Sequence, residues 1–139
     1  MTRIELLSWA QARPLAAPIR FAVFVDEQNV PAEIELDERD AACVHALAFS
    51  EAGQPVGTGR LLPDGHIGRM AVMHAWRGKG VGGAILAALL AEAKRRGHRE
   101  AVLSAQVQAV AFYRKAGFEA FGPVYEEAGI PHQDMRRML

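Results

Sequence analysis

The chain has 139 residues and a mass of 15.1 kDa, with 16 basic and 16 acidic side chains and a formal net charge of zero. Half its residues are apolar and 23% are charged, which excludes disorder and fits a single domain, 1–139, around one core. Zero net charge removes the electrostatic case for a nucleic-acid partner, and the lone Cys43 excludes an internal disulfide and a cysteine-built zinc cluster. The opening Met1-Thr2-Arg3-Ile4-Glu5-Leu6 carries an acid where a signal peptide needs an apolar run, and no stretch reaches the ~20 apolar residues of a membrane helix. A cytoplasmic protein without metal or membrane contact is the expectation.

The predicted elements begin with a strand from Ile4 to Trp9. Pro14 and Pro18 suit the entry of a helix, predicted from about Pro18 to Val25 with Ile19, Ala22 and Val23 inward. The acidic stretch that follows lacks apolar periodicity and reads as loop with a short helix. Val44–Ser50, Gly57–Leu62 and Ile67–Val72 read as strands joined by Glu51-Ala52-Gly53-Gln54 and Pro63-Asp64-Gly65, an antiparallel meander. The period then changes: Ile85, Leu86, Leu89, Leu90 and Ala93 fall at helical spacing, and the helix stops at Lys94-Arg95-Arg96 before Gly97.

Ala101–Ala105 is a short strand, so residues 67–105 form a strand–helix–strand unit whose two strands should be parallel. A second helix, about Gln108 to Ala116, stops at Gly117, and Phe118–Val124 and His132–Met138 close the chain as two strands. The fold class is α/β (α+β): a mixed sheet of about six or seven strands with helices on both faces.

The zero charge hides a segregation. From Asp26 to Asp40 acids outnumber bases seven to one, and from Arg69 to Arg99 bases outnumber acids by the same ratio. Two solvated faces explain this, as does a protein that holds an anion in one part and a cation in another.

The most informative segment is Arg77-Gly78-Lys79-Gly80-Val81-Gly82-Gly83, between a strand and a helix with no Ser, Thr, Asp or Asn at its start. The first N–H groups of that helix are free for an external acceptor, glycines admit it close to the backbone, and the helix dipole favours negative charge. Arg77 and Lys79 add cationic donors. This is a site for phosphate or pyrophosphate, against the plain alternative of a glycine-rich turn with two solvated bases. No P-loop string exists. Gly78-x-Gly80-x-x-Gly83 fits a dinucleotide fingerprint, yet the following strand ends in Ala105 and Gln106 where an acid is expected.

Arg77-Gly78-Lys79-Gly80-Val81-Gly82 also satisfies Arg/Gln-x-x-Gly-x-Gly/Ala, which resembles the acyl-CoA pyrophosphate loop of the GCN5-related N-acetyltransferases, the GNAT superfamily. Phe112-Tyr113-Arg114-Lys115-Ala116-Gly117-Phe118 resembles the second signature of that superfamily, in family order and one strand further on. Arg20-Phe21-Ala22-Val23-Phe24-Val25-Asp26-Glu27-Gln28 and Gly129-Ile130-Pro131-His132 are similar to its ElaA-like branch, so the resemblance covers nearly the whole chain.

The resemblance implies acyl transfer from acetyl-CoA to an amine in a single GNAT domain whose sheet splays around the co-substrate. Met70, Ala71 and Val72 would contact the pantetheine arm and thioester, the Val72 N–H would stabilise the oxyanion, and Arg77 through Gly83 would wrap the pyrophosphate. Phe112, Lys115 and Gln106 complete the expected cofactor contacts, Gln106 standing where many relatives carry Asn. Tyr113 would protonate the departing thiolate, although Ala109, Phe112, Tyr113 and Ala116 at i, i+3, i+4, i+7 also describe a core stripe.

Glu27, Glu33 and His132 are the candidate acceptors of the amine proton. His45 reads as a satisfied core histidine and Cys43 as a small buried hydrophobe. The acceptor is a small-molecule or peptide amine, for which the acidic stretch suggests a cationic compound, and a homodimer is allowed by analogy with relatives. Two other classes compete: a non-catalytic acyl-CoA-binding regulatory module and a dinucleotide-binding half-domain.

Overall fold

A computed structural model describes residues 2–139. Ser8 ends the first strand and caps the first helix. Its side chain accepts the Gln11 N–H while the Gln11 side chain reaches back to the Ser8 N–H, a capping box. Strand β1 (Arg3–Leu7) is therefore shorter than expected, and Trp9 opens helix α1 (Trp9–Arg20).

Pro14 and Pro18 lie inside this helix rather than at its entry, a correction to the expected start at Pro18. Each proline removes one bond to the residue four before it. The two gaps fall on the same face, while Ala12, Ala16 and Ile19 keep the opposite side buried. Beyond the second proline the chain widens into a π-helical segment, Phe21–Glu27, in which Val23 is buried and Ala22 only half-buried. Helix α2 (Ala32–Glu35) and a 3-10 turn (Glu38–Ala42) follow within the acidic stretch.

Strands β2 (Val44–Phe49), β3 (Pro55–Leu61) and β4 (His66–Val72) form the predicted meander, and β1 joins it antiparallel to β2. Helix α3 (Val81–Arg95), strand β5 (Glu100–Gln106) and helix α4 (Val110–Lys115) come next, then β6 (Glu119–Glu127) and β7 (Ile130–Met138). The seven strands lie in the order β1-β2-β3-β4-β5-β7-β6, so the last strand inserts between its two predecessors. Among the described residues only β4 and β5 pair in parallel.

Alternation along β2 assigns the two faces. Ala46 and Ala48 pack with Ile85 and Leu89 of α3 and with Tyr113, whereas Leu47 and Phe49 pack with Ala12, Ala16 and Ile19 of α1. Helix α3 can lie close to the sheet because β3 presents glycines. A Cβ at Gly57 would stand 2.8 Å from Ile85 Cδ1, and one at Gly59 would stand 3.0 Å from both Ile85 Cγ2 and Leu89 Cδ1.

The β4–β5 pairing is unusually short. It consists of His66 opposite Val102 and Ile67 opposite Leu103 and goes no further, although both strands continue for several residues. A register shift on β3 between Thr58 and Arg60, and the left-handed Arg69 (φ 49°), bend β4 away at that point. β5 is held instead along its whole length by β7. The sheet therefore splits, with Gly68–Val72 on one side and Ser104–Gln106 on the other.

Candidate active site

The split opens into a cleft of about 890 Å³. Met70, Ala71 and Val72 line one wall, Ser104 and Gln106 the other, and Phe112 and Tyr113 border it from α4. Arg77, Gly78, Gly80, Val81, Gly82 and Gly83 line one end, and Gln28 and His132 also reach the cleft. Four expected residues do not line it: Glu27 stands beside the cleft, paired with the lining Arg77. Glu33 is exposed on α2, and Lys79 stands outside with its ammonium 5.2 Å from the Trp76 ring centroid. Lys115 faces a neighbouring groove of about 610 Å³, which shares Gly83 and Phe112 with the cleft.

The glycine loop fits a phosphate group. Gly80, left-handed at φ 81°, is the N-cap of α3 and brings no side chain to the helix start. The first intrahelical bond returns from Ala84 N to Gly80 O at 3.1 Å, so the N–H groups of Val81, Gly82 and Gly83 have no partner within the helix. A Cβ at Gly78, Gly80 or Gly83 would meet nothing within 4 Å, which leaves these backbones open to approach. An unoccluded helix N-terminus with a cation at its side is a place for pyrophosphate. Among the described residues, no group of three or more His, Cys, Asp or Glu side chains is arranged to hold a metal ion.

Val72 is oriented by the ladder. Met73 N–H bonds to the Val56 carbonyl at 2.9 Å while Val72 pairs with Gly57, so alternation turns both backbone polar groups of Val72 away from β3. Its carbonyl receives Arg77 Nε at 3.0 Å, and its N–H is left toward the cleft. The Arg77 guanidinium is gripped from the other side by Glu27, with Nη1–Oε1 at 2.8 Å and Nη2–Oε2 at 2.9 Å. Two residues expected in separate roles are thus one ion pair at the cleft mouth.

Tyr113 belongs to both readings of its helix. Its ring is buried in the core, edge-on to Phe112 at 5.0 Å and to Phe118 at 5.9 Å. Its hydroxyl reaches the cleft and makes no hydrogen bond to any described residue. Burial pushes the phenol up to about 12, so it keeps its proton throughout the neutral range.

His132 stacks on Tyr125, with centroids 6.1 Å apart at 24°. Its Nδ1 lies 2.7 Å from the Ile130 carbonyl, which can only accept, so the neutral ring carries its proton on Nδ1 and Nε2 is the basic nitrogen. Tyr125 is held in turn by its bond to Asp134 Oδ1 at 2.7 Å and by Ser104 Oγ. Gln106 donates to Gln28 Oε1 at 2.7 Å and accepts from Gln108 at 2.5 Å, which ties the segment after α1 to the β5 wall.

The acidic stretch is largely neutralised from within. Arg20, 1% exposed, holds Glu35 at 3.0 Å and Asp40 at 2.7 Å, and Arg60 holds Asp37 at 2.8 Å and Asp40 at 2.9 Å. Burial raises the Glu35 carboxyl. Burial would raise Asp40 too, but the bond from Arg20 keeps it below the usual range. The Arg60 hydrogen bond holds Asp37 at about 2. His45 is buried with Nε2 2.9 Å from the Asp40 carbonyl, and Cys43 is buried, as expected of both.

Sequence reasoning passed over Ser104, Tyr125, Asp134 and the Arg20–Arg60–Arg69 cluster. Their partners are distant in the chain and no local motif signals them. Gln28 stood inside a segment already noted for its resemblance to relatives.

Residues 13–139 match the acetyltransferase (GNAT) domain family, and the chain belongs to it. Within the family it falls with the ElaA-like branch. It is 35% identical over 127 residues to Escherichia coli ElaA, covering 86% of this chain and 82% of that one, and the ElaA crystal structure superposes with a TM-score of 0.87, with 99% of each chain covered. The chain is 41% identical over 123 residues to the uncharacterized N-acetyltransferase YjcF of Bacillus subtilis, covering 86% of this chain and 87% of that one. It is also 32% identical to an acyl-CoA N-acyltransferase from Pseudomonas aeruginosa, with a TM-score of 0.87 and 99% of each chain covered. This is an acetyltransferase by family.

Proposed function

We propose that the protein transfers an acetyl group from acetyl-CoA to a primary amine by direct attack, with Tyr113 as the general acid. The observation that carries this reading is the Tyr113 hydroxyl, set without a protein partner in the cleft that also takes the Val72 N–H and the open start of α3. The acyl-CoA named for the Pseudomonas aeruginosa relative supports the choice of donor.

In this mechanism the N–H groups of Val81, Gly82 and Gly83 bind the pyrophosphate, with Arg77 beside them. The pantetheine arm runs along Met70, Ala71 and Val72, where β4 has lost its parallel neighbour and its backbone groups are available. Phe112 borders the arm from α4. The thioester carbonyl accepts the Val72 N–H, which holds the oxygen as negative charge develops on it. The amine nitrogen attacks the carbonyl carbon, the C–S bond breaks, and the Tyr113 proton passes to the leaving sulfur. Pushed up to about 12, the phenol still carries its proton when the C–S bond breaks, so it can donate to the sulfur as negative charge develops there.

His132 Nε2 takes the proton from the attacking amine, directly or through one water. Glu27 has both oxygens engaged by Arg77 and does not line the cleft, which leaves His132 the better placed candidate.

The test is thiol release from acetyl-CoA across a broad panel of amines. Turnover with at least one amine, lost in Tyr113→Phe, is the expected result. Silence across the panel, or NAD bound in preference to acetyl-CoA, would contradict it.

A further inference from the structure

Glu27 lies beside the cleft mouth and is a carboxylate, which makes it look like a base; its surroundings give it another task. Both of its oxygens face the two terminal nitrogens of Arg77, at 2.8 and 2.9 Å. The third inward donor of the same guanidinium, Nε, reaches the Val72 carbonyl at 3.0 Å. A rigid planar fork gripped at one end has little freedom at the other, so the carboxylate fixes the direction in which Nε–H points.

The pair is more than a third exposed on each side, and exposed pairs of this kind add little to stability. Its consequence is geometric. It joins the π-helical segment to Arg77 across 50 positions, and through Arg77 to Val72, the last residue of β4, while the next residue, Gln28, bonds to Gln106 on the opposite wall across 78. Segment 21–28 is thus anchored on both sides of the split, at the level of the residue whose N–H faces the cleft.

We infer that Glu27 is a positioning residue: through Arg77 it holds Val72, and hence the oxyanion-binding N–H, at the working distance from the thioester. This rests on the acetyl-transfer reading above. A guanidinium has five N–H donors, and those not directed at Glu27 and Val72 remain for phosphate oxygens. The same Arg77 therefore couples the pyrophosphate end of the cleft to its reacting end.

The competing effects of removing the charge have opposite signs. Glu27→Gln takes a negative charge away from the phosphate site, which would tighten acetyl-CoA. It also frees the fork, because an amide offers only one acceptor to the two terminal nitrogens. A loosened oxyanion donor acts on the transition state, so the loss falls on kcat rather than on KM. A general base removed at the same position would cost roughly 10²–10⁴-fold and abolish the acid limb of the pH profile.

The experiment is a double-mutant cycle of Glu27→Gln and Arg77→Ala in the full chain, read by kcat, KM for acetyl-CoA and the pH dependence of kcat. Acetyl-CoA affinity is measured on each variant by calorimetry. Expected is a roughly 5- to 20-fold loss of kcat in Glu27→Gln with the acid limb retained. The double variant should be within about twofold of Arg77→Ala alone, because Glu27 acts only through that residue. Losses that multiply in the double variant, disappearance of the acid limb, or an unchanged kcat would each overturn the inference while acetyl-CoA still binds the unaltered protein. Failure of the unaltered protein to bind acetyl-CoA would instead overturn the functional reading, and this inference with it.

Discussion

At the scale of single residues the cleft separates groups that look alike in the chain. Glu27 and His132 are both proton acceptors by type, but only His132 lines the cleft, and its Nε2 has no partner among the described residues while Ile130 O fixes Nδ1 as the donor. His132→Gln should lower kcat by at least about tenfold and remove the acid limb of the kcat profile, with acetyl-CoA affinity unchanged. A retained limb in steady-state kinetics would transfer the role elsewhere. None of this was legible beforehand, because a backbone carbonyl two residues away and a stacked Tyr125 leave no pattern in the sequence. Tyr113 was legible from two signatures, yet its periodicity also called for burial. The burial is met, since the ring fills the core, and Tyr113 also lines the cleft where the proposed acid is needed.

At the scale of elements, the glycine loop and helix α3 were the clearest part of the chain. A glycine run, no capping side chain and a strong helical period all point to the same local structure. Gly80 is the critical position, left-handed at φ 81° and acting as the N-cap of α3. Gly80→Ala should cost about 1 kcal/mol in chemical unfolding, since a Cβ strains that conformation. It should also weaken acetyl-CoA binding, since the strain turns the first N–H groups of the helix. Equal stability and equal affinity in the alanine variant would show that the turn is not what opens the helix start.

Helix α1 was the least legible element. Its two prolines read as a beginning, whereas Ser8 and Gln11 had already started it. The Ser-x-x-Gln spacing was the available signal, and it outweighs prolines whose lost bonds share one face. The meander and the parallel crossover followed from turn residues and period. The insertion of β7 between β5 and β6 did not, because nothing local distinguishes a hairpin from a strand that slips in beside its predecessor.

At the scale of the whole molecule, the segregated charge has acquired a structure. Of the basic half only Arg77 and Lys79 lie in the glycine loop; Lys94, Arg95 and Arg96 stand at the opposite end of α3, the last two paired with Glu92, and Arg69 joins the acidic stretch. In the acidic half, Glu35, Asp37 and Asp40 face Arg20, Arg60 and Arg69, which pins the loop to α1, β3 and β4 at the back of the cleft. Asp37 shows the consequence for stability. The Arg60 bond lowers it to about 2 from an ordinary 3.8, so its contribution is full above about pH 4 and is lost as pH falls through 2. Asp37→Asn should therefore cost on the order of 1–2 kcal/mol at neutral pH. The difference from the unaltered protein in urea melts should shrink as the pH is lowered from 4 toward 2. A cost independent of pH would assign the effect to packing instead.

On the proposed reading, the split between β4 and β5 receives the thioester and Tyr113 is the acid that serves it. The most direct measurement sets the affinity for acetyl-CoA beside turnover in Tyr113→Phe, using calorimetry and thiol release on the same preparation. The phenylalanine ring fills the same core position, so affinity should stay within about twofold while kcat falls by about 10²-fold. Full turnover in Tyr113→Phe, with acetyl-CoA bound as before, would contradict the account.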